Sequence, residues 1–246
     1  FGQESRFWVN GSGKWGDQSH WSAESGGESG ATVPTAATDV VFDANSFSGG
    51  SELLTIDADA VAGSLSAAGA EFTLSGKKSL TVGGSLLTDS KTDWGKFRGT
   101  LKLSASGNQS ISIASELDGD IVVDGGNWAL QSDLTTSGNI YIKSGSLTAG
   151  GNTITCAEFN GNSERAALLD ISSSTIVCEK WNCSAASNLT LKAEGSTIML
   201  KGSILKDFIS IDGLKYDKIQ SYSGSKSDYI VLPPTSTSTA NWLLQG

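Results

Sequence analysis

Along most of the chain the apolar side chains fall on every second residue, in short runs, and almost nowhere at the spacing of a helix. The runs FTL (72–74), LTV (80–82), LKL (101–103), ISI (111–113), IYI (140–142) and LTL (189–191) each flank an outward residue with two inward ones. Gly, Asn, Asp and Ser fill the intervals, so the pattern predicts short strands joined by turns. Only residues 163–171 (SERAALLDI) have helix-forming content. The expected class is all-β.

The strands also repeat. Segments around Ile154, Ile176 and Ile198 align at two steps of 22 residues, and between the first two the match extends to Cys156 over Cys178, Phe159 over Trp181 and Asn160 over Asn182. Upstream, similar strands at Trp128/Leu130, Leu101/Leu103, Phe72/Leu74 and Leu54/Ile56 follow at steps of 26, 27, 29 and 18. A strand signature that persists while the turns change length is expected of a solenoid, whose coils stack roughly 4.8 Å apart and whose turns point outward. A β-sandwich gives short strands too, but has no reason to set Cys-x-x-Phe-Asn over Cys-x-x-Trp-Asn. Stacking like on like buries matching shapes and lets Asn amides form ladders. The sequence therefore predicts a right-handed parallel β-helix (β-solenoid) of about seven coils over residues 51–211. Residues 1–50 read as an aromatic-rich N-terminal cap, and residues 212–246 as a C-terminal cap or assembly segment. Residues 85–99, which carry Trp94 and Phe97, read as a long turn projecting from the rod.

Composition sharpens this picture. The 246 residues include 39 Ser and 30 Gly but only 3 Pro, and 17% are charged, below the roughly 25% of an ordinary domain. The net charge of −9 gives no electrostatic footprint for nucleic acid, and no apolar run is long enough for a membrane-inserted helix. Three cysteines, Cys156, Cys178 and Cys183, make no disulfide framework and read as buried small hydrophobes. The single histidine, His20, excludes a histidine cluster. The chain opens at Phe1, as a processed chain would, and shows no signal peptide.

At the N-terminus the motif becomes specific. The stretch FWVNGSGKWGDQSHWS (7–22), a Gly-rich segment, Val33-Pro34-Thr35 and then DVVFDANSF (39–47) resemble the W-x-G-G-x-G-x-W-x-x-x-x-H-W-S opening of large secreted, adhesin-like cell-surface proteins. Those proteins are associated with gliding or surface-attached bacteria and with type IX secretion. The resemblance implies a secreted, extracellular or cell-surface location. It supplies no ligand.

Candidate chemistry is sparse. Asp39, Asp43 and Asn45 offer hard oxygens of the kind Ca²⁺ takes, though not in an EF-hand pattern, and otherwise read as a solvated turn. Glu116, Asp118, Asp120 and Asp124 bracket residues 121–123, and on a strand Asp120 and Asp124 would share a face, as a polysaccharide lyase or hydrolase would need. The alternative is a solvated solenoid edge. The only arginines, Arg6, Arg98 and Arg165, are dispersed, which weakens a lyase. His20, among cap aromatics, is expected to bond cap backbone. Trp94 and Phe97 could stack on a sugar or a partner surface, or pack back onto the rod. The apolar termini around Trp8 and Trp242 could join copies of the chain into a filament. Asn10, Asn108 and Asn188 open Asn-x-Ser/Thr triplets, which a Ser-rich chain produces by chance. The expected function is a secreted structural or adhesive surface module, not an enzyme, with no cofactor beyond the calcium candidate. Its partner would be a glycan, a protein surface or another copy of itself, and neither a nucleic acid nor a membrane. The filament subunit and the polysaccharide enzyme are the alternatives.

Overall fold

A computed structural model describes residues 4–49, 51–202, 204–221 and 229–231. Nearly all of its regular structure is β, and the strands pair in parallel with the strand one winding away, giving a β-solenoid of about eight turns. Each regular winding has three strands. Face 1 stacks Gly13–Lys14, Leu53–Ile56, Phe72–Gly76 and Thr92–Phe97, and further on Leu134–Thr135, the first half of Thr153–Asn160, the first half of Thr175–Cys183, Thr197–Leu200 and Lys218–Ser221. Face 2 runs from Ala60–Ala62 through Leu80–Val82 and Thr100–Leu103 to Phe208–Ser210. Face 3 runs from Glu4–Trp8 through Thr38–Phe42, Leu65–Ala67, Leu86–Thr88 and Asn108–Ser112 to Leu189–Lys192. Long strands such as Asp120–Leu130 bend round a corner, serving face 2 with one half and face 3 with the other. Face 1 has one irregular winding, where residues 113–117 make the single bridge Leu117–Thr136.

The alternating pattern is what forms these strands. In most rungs the buried residues are the apolar alternates, with Arg6, Thr38, Thr88 and Thr92 as buried polar exceptions, and the apolar ones line one continuous interior from Trp8 to Ile219. Ile154, Ile176 and Ile198 are vertical neighbours, as are Cys156 and Cys178, and Phe159 and Trp181. The Phe159 and Trp181 rings stack with centroids 4.9 Å apart.

Several sequence expectations need correction. The upstream steps of 18 to 29 mixed faces. Leu54 lies over Leu74 on face 1, whereas Leu101 belongs to face 2 and Trp128 to face 3. Registered pairs such as Leu54–Leu74, Leu80–Leu101, Ile121–Ile140 and Leu147–Leu169 are 19 to 22 residues apart. Residues 163–171 are not helical: Ala167–Asp170 is a face 3 rung paired on both edges, because its alternating Ala167 and Leu169 fit the interior there. Residues 85–99 do not project. They form two rungs, Leu86–Thr88 and Thr92–Phe97, joined by a short turn. The ladder also begins earlier than residue 51, since Glu4–Trp8 and Thr38–Phe42 pair in parallel within the N-terminal segment.

At the two ends the edges are treated differently. Trp21–Ser22 runs antiparallel along the outer edge of Glu4–Trp8, at Phe7 and Trp8. Tyr229–Val231 runs antiparallel along Lys218–Ser221. Both limit the free backbone that an open sheet edge offers. Beneath the first rungs, Trp8, Trp15, Trp21, Phe42, Phe47 and Phe72 form one aromatic plug.

Candidate functional site

The singled-out aromatics are interior. Trp94 and Phe97 are 1% and 0% exposed and meet edge to face at 5.9 Å, with Trp94 Nε1 donating to Thr88 Oγ1 (3.2 Å). Neither can contact a glycan. Trp8, 0% exposed, stacks on the His20 ring at 4.7 Å and donates from Nε1 to the Gly11 carbonyl (2.7 Å). His20 Nδ1 lies 3.0 Å from the Val9 carbonyl oxygen, which fixes the cap backbone. Trp242 falls outside the described residues.

The carboxylates are occupied with the scaffold. At the corners an Asp or Asn oxygen accepts a backbone N–H from the neighbouring winding: Asp39 from Ser64 (2.8 Å), Asp59 from Ser79 (3.0 Å), Asp89 from Gly69 (2.8 Å), Asp120 from Asn139 (2.8 Å), Asp133 from Thr153 (2.7 Å) and Asn139 from Glu158 (3.0 Å). A turning chain cannot continue the ladder, so these oxygens take amides that would otherwise lack a partner.

The calcium candidate is not assembled. Asp39 points along the rung toward Ser64, while Asp43, beyond the end of that strand, accepts from Asn45 N (2.9 Å) and Ser25 Oγ (2.6 Å). Four residues of extended chain, roughly 13 Å, separate the two. Among the described residues no group of three His, Cys, Asp or Glu side chains could hold a metal ion.

Asp120 and Asp124 both lie on the outward side of the strand's first half, but four residues of extended chain, roughly 13 Å, separate them, and Asp120 accepts the Asn139 amide. Asp124 is instead the hub of a seam along the corner between faces 2 and 3. Lys102 lies 3.1 Å from one carboxylate oxygen, Arg165 reaches the other at 2.5 Å across two windings, and Ser144 donates to it at 3.0 Å. The Lys102 hydrogen bond, reinforced by Ser144 and the two cationic charges, holds the Asp124 pKa below the ordinary carboxylate range. Asp118 is lowered likewise by Ser137 and Arg98. A general acid needs the opposite shift.

Two of the surface depressions bear on ligand binding. One, about 550 Å³, lies beside the short helix Ile204–Asp207 and is lined by Asn139, Glu158, Glu179, Lys180 and Lys201 among others. Partial burial opposes ionisation of Glu158, but hydrogen bonds from Asn182, Asn160 and Lys180 outweigh it and keep its pKa low. The other, about 330 Å³, lies on face 3 and is lined by Ser85, Asn108, Gln109, Ser110, Asn127, Trp128, Ala129 and Thr148, none of them charged. Here an amide ladder is found; at the expected pair, Asn160 and Asn182, both Nδ2 groups turn to Glu158, and Asn182 Oδ1 accepts instead from Asn162 Nδ2 (3.2 Å). Asn127 Nδ2 donates to Asn108 Oδ1 (2.9 Å), and Ser146 Oγ donates to Asn127 Oδ1 (2.9 Å). Sequence reasoning passed over this surface. The signal was the 19-residue interval between Asn108 and Asn127, the length of one winding.

Fold and surface together define a parallel β-solenoid in which many of the outward acids bond the scaffold. Comparison with protein-family models, curated proteins and solved structures finds no match for the chain.

Proposed function

We propose that the chain is a secreted or surface-displayed solenoid with a structural or adhesive role and no catalytic one. The observation that carries this reading is the engagement of the outward carboxylates around the candidate pair: Asp118 and Asp124 are ion-paired to Arg98, Lys102 and Arg165, and Asp120 accepts the Asn139 amide. The N-terminal resemblance to adhesin-like proteins points the same way. A rod with a continuous apolar interior holds its surface groups in fixed register, which suits repeated contact with an extended partner.

The test incubates the whole protein with a panel of neutral and acidic polysaccharides, following new reducing ends and unsaturated uronate absorbance. In parallel, the immobilised protein is assayed for retention of the same glycans and of protein-coated beads. Retention without cleavage is expected. Turnover that disappears in Asp124→Asn would replace the reading with a hydrolytic one.

End-to-end assembly is the second reading. Leu189–Lys192 and Phe208–Ser210 each pair along one edge only among the described residues. Light scattering over a concentration series during the same experiment decides it, and a mass fixed at one chain removes it.

A further inference from the structure

The face 3 trough differs from the rest of the surface in its chemistry and in its shape. It crosses four successive windings, from Ser85 through 108–110 and 127–129 to Thr148, a span of roughly 14 Å at the strand spacing.

The hydrogen bonds along the trough are polarised. Asn108 Oδ1 is occupied by Asn127, Asn127 Oδ1 by Ser146, and Gln109 Oε1 by Ser85 Oγ (3.0 Å). Those bonds hold the amide planes in place. The amide nitrogens of Asn108 and Gln109 have no protein partner among the described residues, nor do the hydroxyls of Ser110 and Thr148. The trough therefore presents amide and hydroxyl groups side by side. No cation lines it, in a chain of net charge −9, so an anionic ligand would meet repulsion without a compensating ion pair. No exposed aromatic ring lines it, Trp128 being 1% exposed, which leaves hydrogen bonding to fix orientation.

We propose that this trough binds an uncharged polysaccharide chain, its hydroxyl and ring oxygens accepting from Asn108, Gln109, Ser110 and Thr148. The inference rests on the adhesive reading above and gives it a ligand class and a place. Without stacking each contact is weak, and strong attachment comes from many copies of the protein engaging one polymer.

The experiment titrates the whole protein with cello-, xylo- and manno-oligosaccharides, and with polygalacturonate and a sulfated glycan as anionic arms. Asn108→Ala, Gln109→Ala and Thr148→Val are compared with the wild type, and thermal midpoints confirm that each is folded. As a control, Lys201→Ala alters the larger, charged depression. The expected result is binding of at least one neutral series, weakened tenfold or more in Asn108→Ala and Gln109→Ala and unchanged in Lys201→Ala. Neutral binding that survives the trough variants overturns the site and leaves the adhesive reading standing. Binding of anionic glycans alone overturns the ligand class. Failure of every glycan overturns the inference, and the bead-retention assay then judges the adhesive reading separately.

Discussion

Trp94 shows how one side chain can mislead by its position in a strand. It lies in the interior beside Phe97, its indole nitrogen satisfied by Thr88. Replacing it with Ala would open a cavity between two windings, and the expected loss is about 3–5 kcal/mol, measured by urea denaturation followed by circular dichroism. A loss under about 1 kcal/mol would mean that the ring is not packed as described. The sequence hid this because Trp94 and Phe97 are three residues apart, which breaks strict alternation. The break is a local register shift between Asp93 and Lys96, where extra chain lets both rings face inward. Cys156 and Cys178 were legible for the converse reason, since their strands are regular and an apolar thiol repeats after one winding. Burial raises both thiols, Cys178 to about 12, which keeps them neutral.

Among the elements, the corners set the geometry. Long strands turn from face 2 to face 3 at glycines, and these glycines stack. Gly145 has φ +79°, and a Cβ there would come within 2.3 Å of the Gly126 carbonyl oxygen, a backbone atom that cannot swing aside. Gly145→Ala should therefore cost both left-handed strain and a displaced rung, at least about 2 kcal/mol. Gly151→Ala serves as the comparison: φ is +86° but the space is open, so only the strain remains. Equal losses in the two variants would show that the close stacking has no energetic weight. The strands themselves were readable from alternation, and the 22-residue repeat was readable where corners keep one length. Assigning each strand to a face was not. All three faces carry the same two-apolar signature, so a strand from face 3 aligns as well with face 1 as with its true neighbour. The polar trough was hidden for a related reason, because Asn108 and Asn127 become neighbours only once the winding length is known.

For the molecule as a whole, the acidity is explained by its corners. Hydrogen bonds from the Ser79 amide and hydroxyl lower Asp59, and Asp118, Asp124 and Glu158 are lowered by their own donors and cations. A carboxyl whose pKa is depressed on folding stabilises the fold above its unfolded value, about 3.9 for Asp and 4.3 for Glu. That contribution is lost as pH falls through the folded value. Thermal midpoints should thus stay flat from pH 7 to about 5 and decline below about 4. In a combined Asp59→Asn, Asp118→Asn and Asp124→Asn variant, Asn still accepts hydrogen bonds but carries no titrating charge. Its decline should be shallower, and an identical acid profile would assign the loss to other groups.

The even 22-residue interval through Ile154, Ile176 and Ile198 has a consequence for how such a chain can change. Because each of these windings touches only the ones above and below, duplicating one of them adds a storey with a ready-made floor and ceiling. The body would then grow in fixed increments of roughly 4.8 Å, keeping its cross-section, so that reach is set by how many times a short stretch of gene is copied.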